Sequence, residues 1–337
     1  MKLKYNLLRI LWFVFILSVI LDFSIPAFAK SGFKSGGDSL SNSALLDTVE
    51  RAAFRYFWDG AEPHSGMAPE RINMDGIYPQ HDQDVVTTGG SGFGIMAILA
   101  GIRRGFITRK QGYERIKKIV YFLSTADRFH GVWPHWMYGL TGKVKPFSKK
   151  DDGGDIVETA FMMQGLLCAR QYFRHGNKPE KKLAAEIDKL WRGVDWDWYA
   201  PLRPPLGGDG GRVLYWHWSP DYGWAMNFPI HGYNECLIAY VLAASSPTHA
   251  VPVSVYREGW AMNGRIKDST NHYGYVLQLF RQGRAALGGP LFWTQYSYLG
   301  LDPHGLKDEY ADYWKENVDQ TLINYTWCVK NPLHYKG

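Results

Sequence analysis

Lys150-Asp151-Asp152-Gly153-Gly154-Asp155-Ile156-Val157-Glu158-Thr159, with the apolar run that follows it to Phe173, is the stretch on which the reading of the fold turns. Residues 154–173 are apolar nearly all round, the pattern of a helix buried on every side rather than one resting on a surface. Three aspartates and a glutamate stand where it begins. Asp155 and Glu158 are three residues apart, so a helix here projects both carboxylates on one face near its N-terminus. First-turn acids also stabilise a helix through its dipole, and that alone explains many such clusters. Two features favour chemistry: Gly153-Gly154 lets backbone approach a ligand closely, and a carboxylate against so apolar a helix is costly unless paired, hydrated or working.

Outward from this stretch the chain reads as helices joined by long loops. Residues 44–58 carry a helical stripe through Leu45, Leu46, Val49, Ala53, Phe54 and Phe57. Residues 91–104 are apolar nearly all round, as are residues 233–244. Thr108 opens another helix with Gln111 three residues on, a capping-box spacing, and residues 179–191 form the next. Shorter helical patterns fall at 253–262 and 290–299, and a long one at 308–328. Buried helices thus alternate with amphipathic ones, which fits two concentric layers: an all-α chain, an α/α toroid whose inner helices begin near the loops that line a central cleft. Within the Gly/Pro-rich insertion 197–230, Val213-Leu214-Tyr215-Trp216 is expected as a short strand. No repeat of 20–50 residues is visible, which excludes a solenoid.

Composition narrows the class further. Hydrophobic residues at 46% and charged residues at 21% of the 337 positions are ordinary globular values and exclude a disordered chain. The 14 Trp, 21 Tyr and 17 Phe exceed what a helical core needs, and many lie in loops. Sugar rings present flat C–H faces that pack on such rings, although aromatic loop packing explains the same excess. Residues 1–29 read as a signal peptide: Lys2, Lys4 and Arg9 precede an apolar run from Ile10 to Leu21, and Ala27-Phe28-Ala29 supplies the cleavage pattern. A periplasmic or secreted protein is expected, with no membrane contact beyond that peptide. A linker at 30–43 and one catalytic domain at 44–337 complete the expected organisation. The net charge of +6 is dispersed, so nucleic acid is not an expected partner. Cys168, Cys236 and Cys328 suggest neither a disulfide framework nor a metal site, though one disulfide is compatible with them.

Other stretches bear chemistry. In His231-Gly232-Tyr233-Asn234-Glu235-Cys236, Glu235 opens an apolar helix, either as a dipole partner or as a working carboxylate. An inverting glycosidase needs an acid and a base roughly 6.5–9.5 Å apart, more than one helix spans at i,i+3, so Glu235 is placed across a cleft from Asp155 and Glu158. Trp133-Pro134-His135-Trp136 and Tyr215-Trp216-His217-Trp218 read as sugar-stacking platforms with hydrogen-bonding imidazoles, or as tightly packed loops. The run Thr87 to Gly94 lacks the Gly-Lys-Ser/Thr of a phosphate loop and suits a tight helix start. The 11 His show no metal-ligand spacing, so no metal is expected.

Taken together, Thr88–Gly94, Trp133–Trp136, Asp151–Thr159, Tyr215–Pro220, Asn234-Glu235, Ala243–His249 and Gly289–Phe292 resemble the glucoamylase-like domain of bacterial endo-β-1,2-glucanases, glycoside hydrolase family 144. The resemblance covers the chain from about Leu45 onward. It implies an (α/α)6 toroid, export, and inverting cleavage of β-1,2-glucan without metal or organic cofactor. It also implies that Asp151, Asp155, Glu158 and Glu235 are functional, with Asn234 among the substrate contacts. Family members continue beyond Asn331–Gly337, so a toroid incomplete at its C-terminus is expected. The leading expectation is a monomeric hydrolase of β-glucan in which Asp155 or Glu158 protonates the glycosidic oxygen and Glu235, or a carboxylate further downstream, positions water. Two rivals are a non-catalytic glucan-binding protein and a polysaccharide lyase using a Tyr or His base.

Overall fold

The computed structural model describes residues 40–202, 212–281 and 286–336. The expected signal peptide and most of the expected linker lie outside the described residues. The chain divides into residues 1–46 and a compact unit of residues 47–337, and the elements from β1 onward all belong to the latter. In order they are α1 (Asn42–Trp58), β1 (Val85–Thr87), α2 (Thr88–Arg103), α3 (Arg109–Thr125), β2 (Trp136–Tyr138), β3 (Val144–Lys145), β4 (Gly154–Asp155), α4 (Ile156–Phe173), α5 (Lys178–Arg192), β5 (His217–Trp218), α6 (Leu237–Ser245), β6 (Lys267–His272), β7 (Tyr275–Leu279), α7 (Phe292–Gln295) and α8 (Tyr313–Lys330). The unit is helix-rich with few and short strands. No helix among the described residues is long and apolar enough to cross a membrane.

The helices form where side chains satisfy their first N–H groups. Thr108 and Gln111 form the expected capping box of α3, with Oγ1 accepting from the Gln111 N–H at 3.2 Å and the Gln111 side chain accepting from the Thr108 N–H at 2.8 Å. Asn177 and Glu180 do the same for α5, whose first turn holds Pro179. Both helices expose polar faces. By contrast α4 buries Ile156, Val157, Phe161, Met162, Met163 and Leu166 almost completely, each such side chain contributing about 1.5–3 kcal/mol.

Close backbone contact fixes α2 beside α4. A Cβ on Gly92 would stand 2.2 Å from the Phe161 carbonyl oxygen, and one on Gly165 2.2 Å from the carbonyl of Gly92. Gly89 meets Glu158 and Gly92 meets Phe161, so the two helices run parallel and begin at the same end. Helix α6 packs on α4, and α3 packs on α5. The short strands sit at that common end. β1 pairs with β2, setting Thr87 opposite Trp136, while β4 pairs with β5, setting Asp155 opposite His217.

Several expectations need correction. Helix α2 starts at Thr88, inside the glycine run rather than at Ser91, because these glycines pack against α4 and are not a loop. Gly154 and Asp155 belong to β4 instead of α4. Residues 233–236 form a turn, tied by the Tyr233 N–H to the Phe280 carbonyl at 2.9 Å, so α6 begins only at Leu237. The strand expected at 213–216 falls instead at His217–Trp218, where the partner β4 lies; Tyr215 makes only an isolated bridge to Pro229. The β6–β7 hairpin was not anticipated, since Lys267–His272 is polar on both faces. Cys168, Cys236 and Cys328, for which no disulfide framework was expected and one disulfide was only compatible, are all free thiols.

Candidate active site

Asp155 is the most completely engaged side chain at the shared helix end. It is fully buried and occupies the N-cap of α4, where Oδ1 accepts from the N–H groups of Val157 at 3.0 Å and Glu158 at 2.9 Å. Its Oδ2 pairs with His135 Nδ1 at 3.0 Å and accepts from Trp216 Nε1 at 3.2 Å, with His217 Nδ1 3.7 Å away. Burial would raise its pKa, but the His135 hydrogen bond, the charges of both imidazoles and the Glu158 N–H outweigh it, and the carboxyl is held below its ordinary value. Burial likewise opposes charge on His135, yet Asp155, Glu158 and Asp151 carry it up to about 9. His217 is raised in the same way by Asp151, 3.3 Å from its Nδ1, and by Asp155.

Glu158 and Glu235 behave in the opposite manner. Both are only partly buried. Glu158 extends from the first turn of α4 to α2, where Oε2 accepts from the Gly89 N–H at 2.7 Å and Thr87 Oγ1 donates from 3.4 Å. Burial, reinforced by the charge of Asp155, pushes Glu158 up to about 7 despite His135 and these donors. Glu235 precedes α6. Its Oε2 is buried with no protein hydrogen-bond partner, and burial together with the charges of Glu158 and Asp155 pushes this carboxyl to about 7 as well. The two glutamates therefore sense one another, one from the first turn of α4 and the other from the turn before α6. Burial and the charges of both carboxylates raise the phenol of Tyr296, which packs edge-on to Phe93 and Phe161.

The structure thus brings Asp151, Asp155, Glu158, Glu235, His135, Trp216 and His217 to one end of the unit. Other expected sugar contacts are placed differently. Trp133 is wholly buried, with Nε1 donating to the Leu123 carbonyl at 3.1 Å and Arg128 over its ring, so it cannot offer a face to a sugar. Tyr215 is buried against Trp224. Asn234 is 2% exposed and its Oδ1 accepts from the Cys236 N–H at 2.9 Å, fixing the turn before α6. Trp136 packs on Phe147, and Trp218 turns to His130 and Trp198. Trp216 stacks on Phe228 with its ring plane 4° away.

Sequence reading missed Thr87, Gly89 and Tyr296 as partners of the glutamates. The glycine run was a visible signal, but its pairing with Glu158 crosses 69 residues. Tyr296 had no local signal. Spacing along the chain showed no metal motif, yet in space the ligating atoms of His135, Asp151 and Asp155 all lie within 4.8 Å of one another. A cation there would compete with hydrogen bonds Asp155 already accepts.

A helical scaffold presenting carboxyls of raised pKa beside aromatic side chains is compatible with the two-carboxylate chemistry of glycoside hydrolases. Comparisons with known proteins agree. The Glycoamylase (glucoamylase) family model matches residues 227–337. An endo-β-1,2-glucanase from Chitinophaga pinensis, solved with sophorotriose and glucose, is 62% identical with a TM-score of 0.84, over 89% of this chain and 70% of that one. A β-1,2-glucanase structure from Parabacteroides distasonis is 43% identical with a TM-score of 0.78, over 89% of this chain and 43% of that one. The exo β-1,2-glucooligosaccharide sophorohydrolase (non-reducing end) of P. distasonis is 44% identical over 313 residues, 88% of this chain. The chain spans 42% of the length of that sophorohydrolase. The chain belongs to the glucoamylase-like family of β-1,2-glucanases.

Proposed function

We propose that this protein hydrolyses β-1,2-glucan with Glu235 as general acid and Glu158 as the carboxylate that activates water. The observation that carries the reading is the pair of glutamates held near pKa 7 at the starts of α4 and α6, one of them with a buried oxygen that no protein group engages. A proton on Glu235 is committed to no protein acceptor at Oε2, which suits this carboxyl to the role of acid. Glu158 is better suited to remain ionised, because the Gly89 N–H, Thr87 and the His135 imidazolium all favour its charged form. Asp155, expected from sequence as a possible acid, is held ionised and saturated with hydrogen bonds. It is better read as the group that orients His135 and Trp216.

The proposal includes inversion at the anomeric carbon, with acid and base carried by separate elements, Glu235 before α6 and Glu158 in the first turn of α4, and water entering between them. The parallel inner helices α2, α4 and α6, with α3 and α5 outside, support the opening part of an (α/α)6 toroid. Export to the periplasm or medium and a monomeric state complete the proposal. The imidazoles speak against a lyase: His135, raised to about 9 beside Asp155, Glu158 and Asp151, is a poor base, and the His217 pKa is raised in the same direction by Asp151 and Asp155. Proton NMR of fresh digests of linear β-1,2-glucan tests the reading. It predicts that the α-anomer of the new reducing end appears first; initial β-anomer, or no cleavage, overturns it.

A further inference from the structure

The Trp218 ring, expected as part of a sugar-stacking platform with Trp216 and His217, faces away from the carboxylates. Successive strand residues point to opposite sides, so His217 meets Asp151 and Asp155 while Trp218 meets His130 and Trp198. Trp198 is 41% exposed, yet its orientation is fixed. His130 stacks on it with ring centres 3.7 Å apart and planes 11° apart, and Trp218 stands edge-on to both rings. His130 holds a left-handed backbone conformation, φ 51°, in a turn closed by mutual hydrogen bonds of Phe129 and Val132. The Asp195 N–H donates to the His130 carbonyl at 3.2 Å, and a Cβ on Gly131 would collide with the Gly193 carbonyl, so the two loops are locked together. A large ring is thereby held rigid and half open to water, with one face covered by an imidazole.

Its surroundings are polar in the manner a sugar requires. Asp197 precedes Trp198 in the chain and Asp195 is tied to His130 through its N–H; both carboxylates lie within 3.1–3.2 Å of His249 Nδ1, and all three side chains are partly exposed. A flat apolar face next to carboxylate acceptors and an imidazole matches a pyranose, whose C–H face stacks while its hydroxyls donate. The loops concerned follow α3 and α5, the outer helices, and lead to the starts of α4 and α6, so the platform stands at the same end of the unit as Glu158 and Glu235.

We propose that Trp198, stacked on His130, is a second glucan-contact platform, separate from the carboxylates, that takes a glucosyl unit of a longer chain. The proposal rests on the β-glucan reading above, and the experiment keeps the two apart. Affinity electrophoresis of the whole chain in gels containing linear β-1,2-glucan measures polymer binding, and calorimetry with sophorotriose measures the carboxylate site. Trp198→Ala should weaken polymer binding about tenfold while sophorotriose binding stays within about twofold, and Trp198→Phe should keep most of the polymer affinity. Unchanged polymer binding by Trp198→Ala overturns the platform and leaves the β-glucan reading intact. So does an equal loss for both sugars, which would place Trp198 in the carboxylate site. Binding of neither sugar by the unsubstituted chain overturns both.

Discussion

At the scale of single residues, two kinds of carboxylate share one helix end, and their surroundings separate them. Asp155 accepts from N–H groups and imidazoles and is stabilised as an anion, whereas Glu158 and Glu235 are desolvated and mutually repelled. A consequence for stability can be measured. For a carboxyl raised above its unfolded value of 4.5, the favourable contribution is present below pH 4.5 and is lost as pH rises through about 7. Glu158→Gln and Glu235→Gln should therefore raise the melting temperature at pH 8, by about 2–4 °C for each kcal/mol relieved, and change it little at pH 4.5. A lower melting temperature at pH 8 in either variant would contradict the assignment. That Asp155, Glu158 and Glu235 stand where very apolar helices begin was legible in the sequence. Their division of labour was not, since it depends on His135, Gly89 and Thr87, which approach only in the folded chain.

At the scale of elements, the contact between α2 and α4 positions Glu158, and it depends on glycine. Gly92→Ala would drive a methyl group into the Phe161 carbonyl and should cost about 1–3 kcal/mol or more in urea unfolding. Gly89→Ala would meet Glu158 Oε2 at 2.5 Å, so its loss should appear chiefly in activity, at little cost in stability. A second element-level device secures the turn that carries Glu235. Arg281, 3% exposed, pairs with the fully buried Glu316 of α8 at 2.7 Å and lies over the Tyr233 ring. Arg281→Met leaves Glu316 unpaired and should cost about 3–5 kcal/mol, with Arg281→Met/Glu316→Leu markedly milder; equal losses by calorimetry would show that the pair is not the cause. The helices themselves were readable from apolar periodicity and caps, as at Thr108 and Asn177. The strands were not, because β4 and β5 are two residues each and exist only through one another.

For the compact unit as a whole, acid and alkaline limits come from the imidazole–carboxylate cluster. His135, raised from 6.5 to about 9, adds stability that is full below pH 6.5 and lost as pH climbs through about 9. Asp155, lowered from 3.8, adds stability present above pH 3.8 and lost as pH falls through its folded value. Activity is confined more narrowly, since the acid must be protonated while the base is ionised and both titrate near 7. A bell-shaped profile of kcat/KM peaking at about pH 7 is expected. The most direct test of the central claim is reducing-end release from linear β-1,2-glucan by the unsubstituted protein and by Glu235→Gln. A glucan hydrolase with Glu235 as its acid predicts steady release by the former and a loss of about 100- to 10,000-fold in the variant; no release by the former, or full release by Glu235→Gln, would contradict it.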